Sequence, residues 1–276
     1  MTQQDDWLIV RATRRRTLLD WHGLWLHREL VFFLAWRDVV IRYKQTILGV
    51  LWVVLQPVLS TVILTVIFGV LVRVPSGEAP YALFALTGLW PWNFFASALT
   101  RGGASVLSNA SLISKVYFPR VVIPLSSLIS SLFDFGIVGF TTMLVLIVYG
   151  MPLTSALLAI PAFAVLMFLM ALGVGLWLSA LNVQYRDVGY LLPFLAQAWF
   201  YMTPVIYPAD LFPKPWRWVL GVNPMSGVVE GFRWALLGAA WPGWGMLATS
   251  TSIAVVLLVS GAAAFRRMER RFADVI

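Results

Sequence analysis

Residues Ile47–Val72 read ILGVLWVVLQPVLSTVILTVIFGVLV, an apolar run without one charged side chain. A bilayer core about 30 Å thick needs roughly 20 apolar helical residues to cross it. Five more stretches meet or approach that length: Tyr81–Thr100, Val121–Tyr149, Ala156–Leu181, Gly189–Tyr207 and Met246–Phe265. They are apolar all round instead of alternating over about 10 residues, so they predict helices and not barrel strands. Composition agrees: of 276 residues 60% are hydrophobic and 12% charged, against about 25% charged in soluble domains. The mean hydropathy is +0.84. A water-soluble protein is excluded, and the predicted fold class is an all-α integral membrane protein with six transmembrane helices.

The formal charge of +8 is a topology signal in so apolar a chain, and no nucleic-acid partner is expected. Six spans place both termini on one side. If that side also holds the loops after spans two and four, it collects all of the 20 basic residues except Arg73, Lys214, Arg217 and Arg233. The positive-inside rule then makes it cytoplasmic. This predicts a multi-pass protein of the cytoplasmic (inner) membrane with both termini inside. No cleavable signal is expected, because the first apolar span starts after residue 46. Arg14-Arg15-Arg16 superficially resembles a twin-arginine signal but lacks the apolar region after it, so residues 1–27 read as a basic cytoplasmic tail.

Two segments outside the spans carry pattern. Residues 28–46 predict an interfacial helix lying in the membrane plane, since Leu30–Trp36 is too apolar for water. Asp38 and Arg42 stand at i,i+4 with the acid first, the favourable order for a helical ion pair. On the outer side, residues 208–245 predict two short re-entrant helices. The second begins with Asn223 as cap and Pro224 at the first helical position, and ends at Gly238. Met225, Val228, Val229, Phe232, Ala235 and Leu236 form its apolar stripe, opposite Ser226, Glu230 and Arg233. Pro215–Gly221 predicts the shorter first helix. Trp216, Trp218, Trp234, Trp241 and Trp244 suit an interfacial depth.

The available chemistry is sparse. A phosphate-binding loop needs Gly-Lys, but Lys44, Lys115 and Lys214 follow Tyr43, Ser114 and Pro213, so the chain has no such loop. With no Cys there is no thiolate nucleophile, and His22 and His27 without clustered ligands predict no metal site. Asp134 is the one ionisable acid or base well inside a span, too few for an intramembrane protease or a proton relay. It is either hydrogen-bonded by Ser130 and Ser131 one turn earlier, the bland reading, or a polar contact in an aqueous path or between subunits. Ala171, Gly175 and Ser179 form a small-residue stripe suited to close helix packing. Pro57, Pro91, Pro193 and Pro204 interrupt spans, which membranes tolerate only where protein or a wet cavity satisfies the freed backbone. Aromatics gather at these breaks: Trp90 and Trp92, then Trp199, Phe200, Tyr201 and Tyr207. They form either interfacial belts or a path of flat faces on which sugar rings can pack.

Several local motifs resemble one family in order along the chain. They are Arg37-Asp38; Arg42-Tyr43-Lys44-Gln45-Thr46-Ile47-Leu48-Gly49 with Trp52 and Gln56-Pro57; Gly88-Leu89-Trp90-Pro91-Trp92; Lys115-Val116-Tyr117-Phe118-Pro119-Arg120; Leu181–Asp187; and Asn223–Gly227. The chain after residue 28 is similar to membrane subunits of type-2 ABC exporters for O-antigen, teichoic acid and capsular polysaccharide. The resemblance implies a homodimeric permease with two separate cytoplasmic ATPase subunits, so ATP and Mg2+ would bind in the partner and this chain would carry no cofactor. Its cargo would be a lipid-linked polysaccharide among membrane lipids. By the same resemblance, Arg37, Asp38, Arg42, Lys115, Tyr117, Phe118, Pro119 and Arg120 would contact the ATPase, and Arg186 and Asp187 would sit at the cytoplasmic entrance. Trp52, Phe68, Trp199, Phe200, Tyr201 and Tyr207 would line the conduit, with Gln56 and Asp134 as intramembrane polar groups. Asn223, Pro224, Glu230 and Arg233 would form the outer gate. A smaller lipid or drug as cargo is the alternative within the class; an ion-coupled carrier or a membrane enzyme is the alternative outside it.

Overall fold

A computed structural model describes residues 21–44, 46–116, 118–152, 154–212 and 217–272, and every regular element among them is helical. Helix α1 (Trp21–Leu26) leads into α2 (Arg28–Lys44), so helix begins inside the stretch read as a tail. Four long apolar helices follow in order: α3 (Leu51–Leu71), α4 (Tyr81–Ser108), then, after the short α5 (Ala110–Ile113), α6 (Val122–Val148) and α7 (Ser155–Gln184). Next come α8 (Val188–Met202), the short α9 (Arg217–Val222), α10 (Pro224–Leu237) and the long α11 (Trp244–Met268).

Five of these helices are long and apolar enough to cross a membrane. The expected fifth span, Gly189–Tyr207, is realised as a helix of 15 residues. At 1.5 Å per residue that reaches about 22 Å, short of the hydrocarbon thickness. The cause is local. Pro204 clashes with a helical residue before it, and Thr203 is extended with φ −94° and ψ 138°. Among the described residues, five of the six expected spans are helices long enough to cross, and the remaining one is a broken helix followed by the segment α9–α10.

Helix α4 is the axis of the bundle. In its most apolar window 78% of residues are buried, against 11% in α3. Helix α3 lies at the edge with Leu51, Val62, Ile63 and Val70 outward, which costs nothing against lipid tails. Helix α2 lays Val31, Leu34, Ala35 and Val39 on the bundle, mainly against α6, and leaves Phe32, Phe33 and Trp36 outward.

Without a hydrophobic force between helices in lipid, close packing needs small residues. Gly173 of α7 and Gly261 of α11 mark one such crossing: a Cβ on either would run into the other helix's backbone. The Trp177 indole donates to Ser260 Oγ beside it at 3.0 Å. On the other side of α4, Gly139 of α6 leaves space for the Trp90 ring, whose indole donates to the Phe135 carbonyl at 2.9 Å. Replacing Gly173 or Gly261 by Leu should cost about 1–3 kcal/mol through forced overpacking. A thermal melt of the detergent-solubilised protein checks this, and an unchanged Tm would contradict the crossing.

Candidate functional site

The broken end of α8 leaves a row of carbonyls without helical partners, and side chains from elsewhere take those of Met202, Pro204, Val205 and Ile206. Asn223, at the start of α10, accepts from the Met225 N–H as a cap and from the Trp199 indole at 2.9 Å. Its amide donates to the Met202 carbonyl at 3.2 Å and to Thr203 Oγ1 at 2.9 Å. One turn from the other end of α10, Arg233 donates to the Pro204 carbonyl at 2.5 Å and the Val205 carbonyl at 2.6 Å. The Tyr81 hydroxyl donates to the Ile206 carbonyl at 2.7 Å. Arg233 is 1% exposed, yet its charge is compensated: Glu230 accepts from it at 2.9 Å, and its guanidinium lies 3.5 Å over the Phe84 ring. A cation also suits the negative end of the α8 dipole. Gly88 makes room, since a Cβ there would sit 2.9 Å from Arg233 Nη2.

Helix α10, read from the sequence as a short outer-side helix with Ser226, Glu230 and Arg233 opposite an apolar stripe, is buried on both faces. Eleven of its 14 residues are buried, Ser226 and Arg233 among them. Gly227 and Gly231 admit Ser250 and Phe163 against the backbone. Gly238, at φ 66°, closes the helix in the left-handed conformation. Of the tryptophans read as interfacial, Trp234, Trp241 and Trp244 form a ring chain with centroids 4.6 and 5.2 Å apart. Lys214 and Trp216 lie outside the described residues.

At the opposite, basic end, Asp134 is held by three groups from two other elements. Arg42 and Tyr43, at the end of α2, both donate to its carboxylate, and Arg101 of α4 donates at 3.1 Å. Ser130 receives Arg42 Nη2 at 3.3 Å and itself bonds the Ser127 carbonyl, so neither Ser130 nor Ser131 satisfies Asp134. Both the serine reading of Asp134 and the Asp38–Arg42 pair are thereby replaced. Asp38 instead accepts from Arg37 at 2.8 Å, and Arg37 reaches on to Asn109 Oδ1 at 2.8 Å. Burial and then the Asp134 carboxylate push the Tyr43 phenol up to about 12, so it remains a neutral donor.

Between this cluster and the broken helix runs a groove of about 940 Å³ bordered by α3, α4, α6 and α8. Trp52, Gln56, Trp90, Asn93, Phe94, Arg101 and Asp134 are on its walls. Asn93, Ala96 and Ala196 also line a second groove of about 350 Å³ that continues to Trp92, Gln197 and Phe200. The two together form one path beside α3 and α8, with aromatic faces and neutral polar groups beyond the charged mouth. A hollow of about 500 Å³ on the basic side shares Arg42 and Arg101 with the path, so the two arginines stand at its mouth. At the far end, a separate pocket of about 880 Å³ lies beyond Arg233 and Phe84 and shares no lining residue with the path.

The other sequence-predicted residues are scattered. Phe68 packs on Tyr81 and Phe84 away from the groove. Trp199 is half-buried, edge-on to Phe95 at 5.0 Å. Tyr201 is exposed, and Tyr207 donates to its carbonyl at 3.0 Å. Arg186 and Asp187 are exposed in the turn before α8. Lys115 is exposed, Phe118 is buried, and Arg120 turns inward to the Glu269 carbonyl. Tyr117 lies outside the described residues. The groove also holds residues that sequence reasoning missed: Asn93, Ser97, Thr100 and Arg101. Their i, i+4, i+7, i+8 spacing is a polar stripe along one face of an otherwise apolar span, a signal that was present in the sequence.

Long apolar helices around a polar-lined groove, with a broken helix at its end, define a multi-pass membrane protein. The chain belongs to the ABC-2 type transporter family, whose model matches residues 29–237. It is 31% identical over 249 residues to an O-antigen export system permease protein RfbA of Klebsiella pneumoniae, covering 90% of this chain and 95% of that one. It is 28% identical over 256 residues to the O-antigen export system permease protein RfbA of Myxococcus xanthus (92% and 97% covered). It is 25% identical over 221 residues to the polysialic acid transport protein KpsM of Escherichia coli (78% and 84% covered).

Removing Arg233 strands two carbonyls and the Glu230 carboxylate, so Arg233→Ala should destabilise by roughly 3–5 kcal/mol. Glu230→Gln keeps the carbonyl bonds and should cost less. A thermal melt of the two variants in detergent checks the order; equal effects would show that the ion pair, and not the carbonyls, is the function of Arg233.

Proposed function

We propose that this chain is the permease subunit of an ATP-driven exporter that moves a lipid-linked polysaccharide outward across the bacterial cytoplasmic membrane. Two copies form the conduit, and two copies of a separate ABC ATPase bind the basic, cytoplasmic side, carrying ATP and Mg2+. The observation that carries this reading is the path beside α3 and α8, charged at its mouth and aromatic and neutral along its length.

A long glycan needs a track that holds each sugar weakly, because binding must be favourable enough to enter and weak enough to leave. Ring faces such as Trp52 and Phe200 pack on sugar C–H faces, while Gln56, Asn93 and Gln197 exchange hydrogen bonds with hydroxyls. Beyond the mouth no carboxylate or ammonium among the described residues lines the path, so the glycan is held there by weak contacts alone. The open side of the path lies at the exposed faces of α3 and α8, where Trp52, Leu59, Tyr190 and Phe194 point outward, and a second copy would close it. In this reading the bonds of Arg233 to the Pro204 and Val205 carbonyls hold the outer gate closed, and the gate opens when α10 and α8 separate. The resemblance to O-antigen and polysialic acid export proteins supports a polymer cargo over a small lipid or drug.

Two measurements test this. In cells where deletion of the gene traps glycan inside, Trp52→Ala and Phe200→Ala should lower export several-fold, up to about tenfold, on the scale of one lost aromatic contact. Their membrane levels should stay unchanged; a matching fall in level would make these rings structural. Since the chain has no Cys, Ser114→Cys and Glu78→Cys report topology. An impermeant thiol reagent applied outside intact spheroplasts should label only the second, and the reverse pattern would invert the orientation.

A further inference from the structure

The end of α11 folds back on the loop that leads into α6. Arg120 donates through Nη1 to the Glu269 carbonyl, and its guanidinium lies 5.8 Å from the Phe272 ring centre. Phe272 is 2% exposed and meets Phe265 edge-on at 5.4 Å. Phe118, Ile123 and Phe272 all belong to the continuous core. The loop thus has two halves. Ser114, Lys115 and Val116 face outward, whereas Phe118 is buried and Arg120 is fastened to the turn Glu269–Phe272 that directly follows α11.

Helix α11 is one uninterrupted element of 25 residues, about 37 Å long at 1.5 Å per residue. It is locked to α7 by the glycine crossing of Gly173 and Gly261. Toward its other end Ser250 presses against Gly227 of α10, so close that a Cβ on Gly227 would overlap it. Packed helices of this kind shift as bodies and do not deform continuously. One rigid element therefore touches the loop at the basic end and the re-entrant helix at the other.

We propose that Arg120 is a positioning residue that staples the loop to Glu269 and Phe272, making α11 the lever by which motion of the loop reaches α10. The tip Ser114–Val116 takes the push and the Phe118–Arg120 arm passes it on. This rests on the exporter reading, in which an ATPase docks on that loop, and it removes Arg120 from the docking surface itself.

The test uses the full complex, purified with its ATPase and reconstituted in lipid, and follows three readouts: co-purified ATPase, ATP hydrolysis, and glycan moved per ATP. Arg120→Ala and Phe272→Ala should keep the ATPase bound and hydrolysing, yet lower glycan moved per ATP by at least about fivefold, the lower range of a coupling interaction. Arg120→Lys, which retains a donor and a cation, should restore most of that ratio. Lys115→Glu, at the tip, should instead release the ATPase. Loss of the ATPase from Arg120→Ala would make Arg120 a docking contact and overturn the lever. An unchanged ratio in Arg120→Ala would overturn it as well, as would a failure of Arg120→Lys to differ from Arg120→Ala. An ATPase that never co-purifies with the unmodified chain would remove the exporter reading, and the lever with it.

Discussion

The carbonyls freed where α8 breaks are the constraint on which the rest of this structure depends. In a bilayer no water reaches them, and each unmet buried group costs about 1–3 kcal/mol. Pro204 creates the break, and the chain answers it from two other places. Asn223 and Arg233 arrive on the re-entrant helix, and Tyr81 on the second span. That requirement explains why a helix too short to cross the membrane is buried among those that do. It also explains why Gly88 and Phe84 stand beside a guanidinium in the core. The carbonyls and the Glu230 carboxylate together make Arg233 tolerable at 1% exposure.

The same logic governs the opposite end with a different outcome. Asp134 would be expensive alone in a span, but Arg42, Tyr43 and Arg101 converge on it and fix the end of α2 against α6. Two arginines sharing one carboxylate leave a net positive cluster at the mouth of the path. Charge is concentrated at the two ends, and the path between them is aromatic and neutral. Both ends are fixed by a helix outside the long spans whose polar side chains are spent on other parts of the chain.

Much of this was legible. The apolar runs marked the long helices because nothing else explains such stretches in a chain with 12% charge. Asn223, Pro224 and Gly238 marked the bounds of α10 through local backbone chemistry. Pro204 announced a break, although the helix ends earlier than the apolar pattern does, because hydropathy does not record where backbone bonding stops. The polar stripe Asn93, Ser97, Thr100 and Arg101 was readable by its period. Phe68 was assigned to the path through the family resemblance, and its packing with Tyr81 and Phe84 shows that an aromatic in a span carries no direction by itself.

What the sequence by itself determined is the class of molecule: a multi-pass helical membrane protein with a basic side, a broken span, a capped short helix after it and no nucleotide loop. Those follow from composition and from the bonding rules of neighbouring residues. The tertiary structure alone decided which polar groups meet. Arg42 and Asp134 are 92 positions apart, and Arg233 and Val205 are 28 apart. No local pattern distinguishes an arginine facing water from one facing a stranded carbonyl. The side chain is the same in both; only the fold of the whole chain brings the unsatisfied group within reach.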